Sequence, residues 1–203
     1  MTQAKPFPEL ATKRLRLRRF RPSDVEGLHT CFGDPVAMRY WNSPPCKTPA
    51  ETQRWARALA RAGSPNKKWF GWAVAEKRSD RCIGMVNFHH REQRNRKLEI
   101  GYILSPAHQR KGLMTEVLQT WLDYCLEDLG VHRIEAIIHP DNIASIRLVK
   151  RLGFRLEGGP LRDYWRNGDT FMDTMMYSLI AGEEAWKRPA RSPRTSKPKP
   201  KSP

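Results

Sequence analysis

The chain opens with a strand-like pattern, in which Leu15, Leu17 and Phe20 are set among Arg14, Arg16, Arg18 and Arg19. Pro22-Ser23-Asp24 then caps a short helix running to about Phe32. Thr48, Pro49 and Glu51 form a capping-box pattern with Pro at the first helical position. Behind them Trp55, Ala58, Leu59 and Ala62 share one helical face, and residues 63–68 end the helix. Three strands are predicted next, at 69–76, 82–90 and 97–104, the first two forming a hairpin around Arg78-Ser79-Asp80. In the third, Leu98, Ile100, Tyr102 and Leu104 alternate against Glu99, Gly101 and Ile103. Past a loop at 105–111, Met114, Val117, Leu118, Trp121, Leu122 and Cys125 make the stripe of a strongly amphipathic helix. A strand at 133–139 follows, then a helix capped by Asp141 or Asn142 and stopped by Gly153, then closing strands at 154–157 and 171–179. This order implies an α/β (α+β) chain, a mixed, mostly antiparallel sheet with helices on its faces.

Composition narrows the class. A length of 203 residues with 39% hydrophobic positions and seven Trp suffices for one core plus a tail. No apolar run approaches the roughly 20 residues of a membrane span, and residues 1–10 lack the apolar core of a secretion signal. Cys31, Cys46, Cys82 and Cys125 lie far apart, with no CxxC pair or Cys/His cluster; they read as buried thiols in a reducing cytoplasm, with no metal. We expect a flexible N-terminus at 1–9, one domain at 10–186 and a disordered Pro/Lys-rich tail at 187–203. Seven of the net +16 charges belong to that tail, so the body is basic in its own right. The tail is a candidate arm for RNA or the ribosome, against the plainer reading of a solvated extension.

The stretch from Leu98 to Glu116 carries the most chemistry: a strand runs into a loop that opens directly into a long helix. The first amides of a helix have no internal partners and sit at the positive end of its dipole. Gly112 lets backbone approach a bulky anion, and Arg110 and Lys111 add charge. This is a pyrophosphate cradle, without the glycine pattern of a Walker loop or of a dinucleotide fingerprint.

Gln109-x-x-Gly112-x-Met114 resembles the Q/R-x-x-G-x-G/A signature of the GCN5-related N-acetyltransferases (GNAT). The preceding LEIGY strand, Asn142-x-x-Ser145 and Leu152-Gly153-Phe154 strengthen the likeness. The opening TKRLRLRRFRPSD and the DYWRNGDTFMD stretch resemble the Rim-type branch, which includes ribosomal-protein N-terminal acetyltransferases. The likeness covers about residues 10–180. It implies the GNAT acyl-CoA N-acyltransferase fold, with the sheet splayed between the strands at 97–104 and 133–139 and acetyl-CoA in the splay. The pyrophosphate would then lie on Gln109, Arg110, Lys111, Gly112, Leu113 and Met114, and the pantetheine beside the backbone of Ile103 and Leu104.

Individual side chains carry competing readings. Asn142 and Ser145 share a face at a helix start, as an N-cap pair or facing the thioester. The position where much of the family has a Tyr acid is Val149, so Ser145 becomes the substitute that assists the departing sulfur. Glu99 reads as the carboxylate that takes the amine proton, with His89, His90 and His139 as rivals. Tyr164 and Trp165 are candidate walls of the acceptor pocket, or core. The expected reaction is direct attack of an amine on acetyl-CoA in a ternary complex, since no Cys in the motif region points to an acetyl-enzyme. The acceptor is read as a protein N-terminus, with a polyamine or antibiotic amine as runner-up. A non-catalytic acyl-CoA- or nucleic-acid-binding module is the rival class, and a homodimer is left open.

Overall fold

The computed structural model describes residues 7–60, 65 and 67–183. The expected tail at 187–203, the domain end at Trp186 and the helix position Ala62 lie outside these residues. The elements in order are β1 (Leu10–Ala11), β2 (Leu15–Arg18), α1 (Val25–Phe32), α2 (Pro49–Ala60), β3 (Phe70–Glu76), β4 (Cys82–Glu92) and β5 (Lys97–Leu104). After them come α3 (Leu113–Asp123), which runs on through one π turn, β6 (Arg133–Ile138), α4 (Ile143–Arg151), β7 (Arg155–Asn167) and β8 (Thr170–Ile180).

The strands form one eight-stranded sheet in the order β1-β2-β3-β4-β5-β6-β8-β7. All neighbours are antiparallel except β5 and β6. That parallel pair is short: Lys97, Leu98 and Glu99 face Arg133, Ile134 and Glu135, and the ladder then stops. From Ile100 to Leu104, β5 continues beside β4 alone, so the expected splay opens after Glu99.

Helices cover both faces. On one, α3 sets Leu113, Val117, Leu118, Trp121 and Leu122 into a core with Leu17, Trp72, Leu98, Ile100 and Ile134, and α4 adds Val149. On the other, Leu28, Cys31 and Phe32 of α1 and Ala56 and Leu59 of α2 pack on Ala73, Met85 and Ile103. Each large side chain buried this way contributes about 1.5–3 kcal/mol. Alternation along β5 therefore sends Leu98, Ile100 and Tyr102 toward α3 and α4, and Glu99 and Ile103 toward α1 and α2.

Two expectations need correcting, and one side chain departs from its strand's alternation. The buried face of α2 is Thr52, Ala56 and Leu59 rather than Trp55, Ala58 and Leu59. The reason is that α2 docks on α1, where Thr52 Oγ1 meets His29 Nδ1 at 2.8 Å, and Trp55 lies at the rim, stacked on Phe32. Strand alternation would leave Arg18 in solvent with Arg16, yet it is buried between Asp24, at 2.8 Å, and Asp80, at 2.9 Å. Finally, the strand expected at 154–157 extends to Asn167, because it pairs with β8 along its length through three register shifts.

Candidate active site

Residues at the end of β5 build an uncapped helix start. Beyond a 3-10 turn at Pro106–His108, Arg110 has φ +59° and Gly112 φ +71°. Gly112 is the N-cap of α3, and no side chain caps the amides behind it. A left-handed conformation is far cheaper for Gly than for residues with a Cβ. Gln109 Nε2 donates to the Leu104 carbonyl at 2.9 Å and ties the loop to the strand end. Arg14 braces the far side, bonding the Lys111 carbonyl at 3.1 Å and Glu116 at 2.7 Å. Lys111 Nζ turns onto the Ala107 carbonyl, and Arg110 stays exposed. Leu113 is in the core and Met114 packs against it, so their backbone N–H groups are what they offer an anion. Uncapped amides, a left-handed Gly and an exposed Arg fit a pyrophosphate.

The splay holds a cleft of about 100 Å³ lined by Tyr40, Trp41, His89, Glu99, Tyr102, Ser145 and Trp165, among others. Its floor includes Gly101, where an added Cβ would lie 2.5 Å from the Asn87 side-chain amide. The cleft brings together groups from both faces of the sheet, which a closed β5–β6 ladder would keep apart.

On the α1/α2 side, Glu99 is buried. Its Oε1 lies 2.9 Å from His89 Nε2 and its Oε2 lies 3.0 Å from His90 Nδ1. Burial pushes its carboxyl up, but the two imidazoles outweigh burial and hold it below the usual carboxylate range. These three residues are also a cluster with the donor chemistry of a divalent-cation site, their ligand atoms all within 4.8 Å of one another. Each carboxylate oxygen lies within hydrogen-bond reach of one imidazole nitrogen.

On the α3/α4 side, Tyr102 Oη and Ser145 Oγ are 2.6 Å apart. Burial pushes the Tyr102 phenol up to about 12, against the lowering effect of the Ser145 bond, so it keeps its proton at neutral pH. Asn142 caps α4 by accepting the Ser145 N–H at 3.2 Å. Val149 is buried in the core, away from any acid role.

Trp165 joins the cleft, whereas Tyr164, its neighbour on β7, is half exposed and is not among the lining residues. Neighbouring residues on a strand point to opposite faces. His139 also lines the cleft, with its ring 4.9 Å from that of Tyr40. Sequence reasoning missed Tyr102, Tyr40 and Trp41. The first was visible as the member of the β5 stripe that carries a hydroxyl; the other two lie in a segment without periodic pattern.

A family model described as "Acetyltransferase (GNAT) domain" matches residues 14–155. The chain is 33% identical over 178 residues to a Bacillus subtilis protein named "Uncharacterized N-acetyltransferase YoaA", covering 88% of this chain and 99% of that protein. It is 25% identical to the spermidine N(1)-acetyltransferase of Escherichia coli, covering 76% and 80%. Among solved structures, RimL, a ribosomal L7/L12 alpha-N-protein acetyltransferase in complex with coenzyme A, superposes with a TM-score of 0.72 at 22% identity, covering 85% of this chain and 98% of that one.

Proposed function

The chain belongs to the GNAT family of acetyl-CoA-dependent N-acetyltransferases, and from that premise we propose that it acetylates a protein N-terminal amine, of the kind ribosomal proteins carry, in the cytoplasm. The observation that carries this reading is the composition of the splay. Glu99 is the one carboxylate among the residues lining the cleft, and Tyr40, Trp41 and Trp165 are aromatic. Such a site suits one ammonium group, held by a single charge and by ring faces. A polyamine carries several cations and would meet a chain of net charge +16.

Acetyl-CoA supplies the acetyl group as a thioester. The amides from Gly112 to Met114 hold its pyrophosphate, and the β6-facing edge of Ile103 and Leu104, which the splay leaves without a ladder partner, pairs with its pantetheine. Glu99 takes the proton that the ammonium must lose before its nitrogen attacks the carbonyl carbon. As the carbon–sulfur bond breaks, Ser145 gives a proton to the sulfur and Tyr102 replaces it; the second proton, which the acylated nitrogen sheds on becoming an amide, returns to the phenolate, while strand N–H groups polarise the carbonyl.

The test is release of coenzyme A from acetyl-CoA with a panel of free peptide N-termini, spermidine and an aminoglycoside. Peptides should give kcat/KM at least tenfold above either small amine. A preference for spermidine would overturn the acceptor reading.

A further inference from the structure

A proton placed on Glu99 needs a way out. The Glu99 side chain is 10% exposed, so it has little direct contact with water. His90, bonded to its Oε2, has a side chain that is 77% exposed. The contact exists because the backbone breaks its own alternation. His89 and His90 are consecutive on β4 and should point to opposite faces. Instead the register between β4 and β5 shifts after His89, and His90 takes φ +51°, so both imidazoles converge on one carboxylate. A non-Gly residue with positive φ is uncommon, and strain of this kind clusters at functional sites.

We propose that His90 is the proton outlet of the acetyltransfer site, carrying to solvent the proton that Glu99 takes from the amine. This rests on the reading of Glu99 as the base. The transfer balances in two moves. Protonated Glu99 passes its proton to Nδ1 of the neutral His90 ring, which becomes an imidazolium beside a regenerated carboxylate. Nε2 of that ring then gives a proton to water, and rotation of the exposed ring turns Nδ1–H to solvent, where exchange restores the Nε2–H tautomer before the next turnover. His89, less exposed and on Oε1, positions the carboxylate. Imidazole is the side chain suited to both taking and giving a proton near neutral pH.

The neighbouring charges are committed elsewhere. Glu135, opposite Glu99 on β6, is held by Arg133 at 2.7 Å, and Arg133 also binds Glu157 of β7. Lys97 of β5 pairs with Glu92 at 3.1 Å, and Arg91 binds the Pro65 carbonyl. His139 reaches the cleft from the end of β6 and leans on Tyr40.

The experiment compares His90→Asn with the parent across pH, using acetyl-CoA and whichever acceptor turns over in the panel above. Asn tolerates positive φ, so the bulge is kept. The variant should lose about a hundredfold in kcat, the lower end of the range for acid–base groups, with KM for acetyl-CoA and melting temperature unchanged. Added imidazole should restore part of the rate, because the site it replaces is open to solvent. A parental rate and pH profile in His90→Asn, or a slow variant that imidazole does not help, would overturn the outlet. Glu99→Gln separates this from the underlying reading: if Glu99→Gln is fully active the base itself is misassigned, whereas a slow Glu99→Gln beside a fully active His90→Asn removes the outlet alone.

Discussion

Ser145 alone is a weak acid, since an aliphatic hydroxyl gives up its proton reluctantly to a departing thiolate. In the proposed mechanism its 2.6 Å bond to Tyr102 offsets that, because a phenol kept protonated by burial refills the hydroxyl as it donates. Tyr102→Phe keeps the ring in the core and removes the refill. Its kcat should fall about a hundredfold, the lower end for a group that supplies a proton, with acetyl-CoA affinity unchanged. Ser145→Ala should fall at least as far, and the double variant should be no worse than Ser145→Ala, because the two act as one unit. Additive losses in single and double variants would show that the residues work separately. The measurement is steady-state kinetics of all three beside the parent.

At the scale of elements, the start of α3 is a helix terminus left open by the residues around it. Gln109 and Arg14 bond the loop from behind, and nothing caps the amides in front. Gly112→Glu should abolish the rise in melting temperature that acetyl-CoA gives the parent, since bulk and negative charge would face the pyrophosphate. The variant should also lose about 1–2 kcal/mol of stability from its left-handed backbone. Calorimetric melting with and without coenzyme A checks both. An undiminished ligand shift would place the cradle elsewhere. The α2 helix teaches a related point. Its cap was legible, with Thr48 Oγ1 accepting the Glu51 N–H at 3.3 Å, but its buried face was not. Trp55 advertises hydrophobicity in the sequence, and docking on α1 selects Thr52 instead.

Across the whole molecule, folding holds carboxylates in their charged form. Arg133 and Ser178 depress Glu157 from its ordinary 4.5 to about 2, and Arg18 and Arg21 lower Asp80. A carboxyl depressed on folding contributes stability above its unfolded pKa and loses it as pH falls through the folded one. The protein should therefore weaken steadily from about pH 4.5 toward pH 2, helped by the self-repulsion of a chain already at +16. Glu157→Gln should be less stable than the parent at pH 6, with the gap narrowing from about pH 4.5 toward pH 2, measured by urea midpoints across that range. A gap that does not narrow across that range would mean the substitution acts through packing.

The sequence by itself determined the order of elements, the two ends of β5, the stripe of α3 and the loop between them that opens onto an uncapped helix start. Each of these is a local matter: side-chain period, a glycine at a helix start and a cap act within one turn or one strand. The resemblance carried by residues 98–116 led to the family that the comparisons establish. The tertiary structure alone decided which side chains share the cleft. Tyr102 meets Ser145 across 43 positions of chain. Glu99 meets His90 through a bulge that no composition announces. Arg18 is buried because Asp24 and Asp80 arrive from two other segments to neutralise it. Contacts between distant segments depend on how the sheet opens and which helix covers which face. The opening after Glu99 is set by where pairing between β5 and β6 stops, a property of two strands together rather than of either sequence.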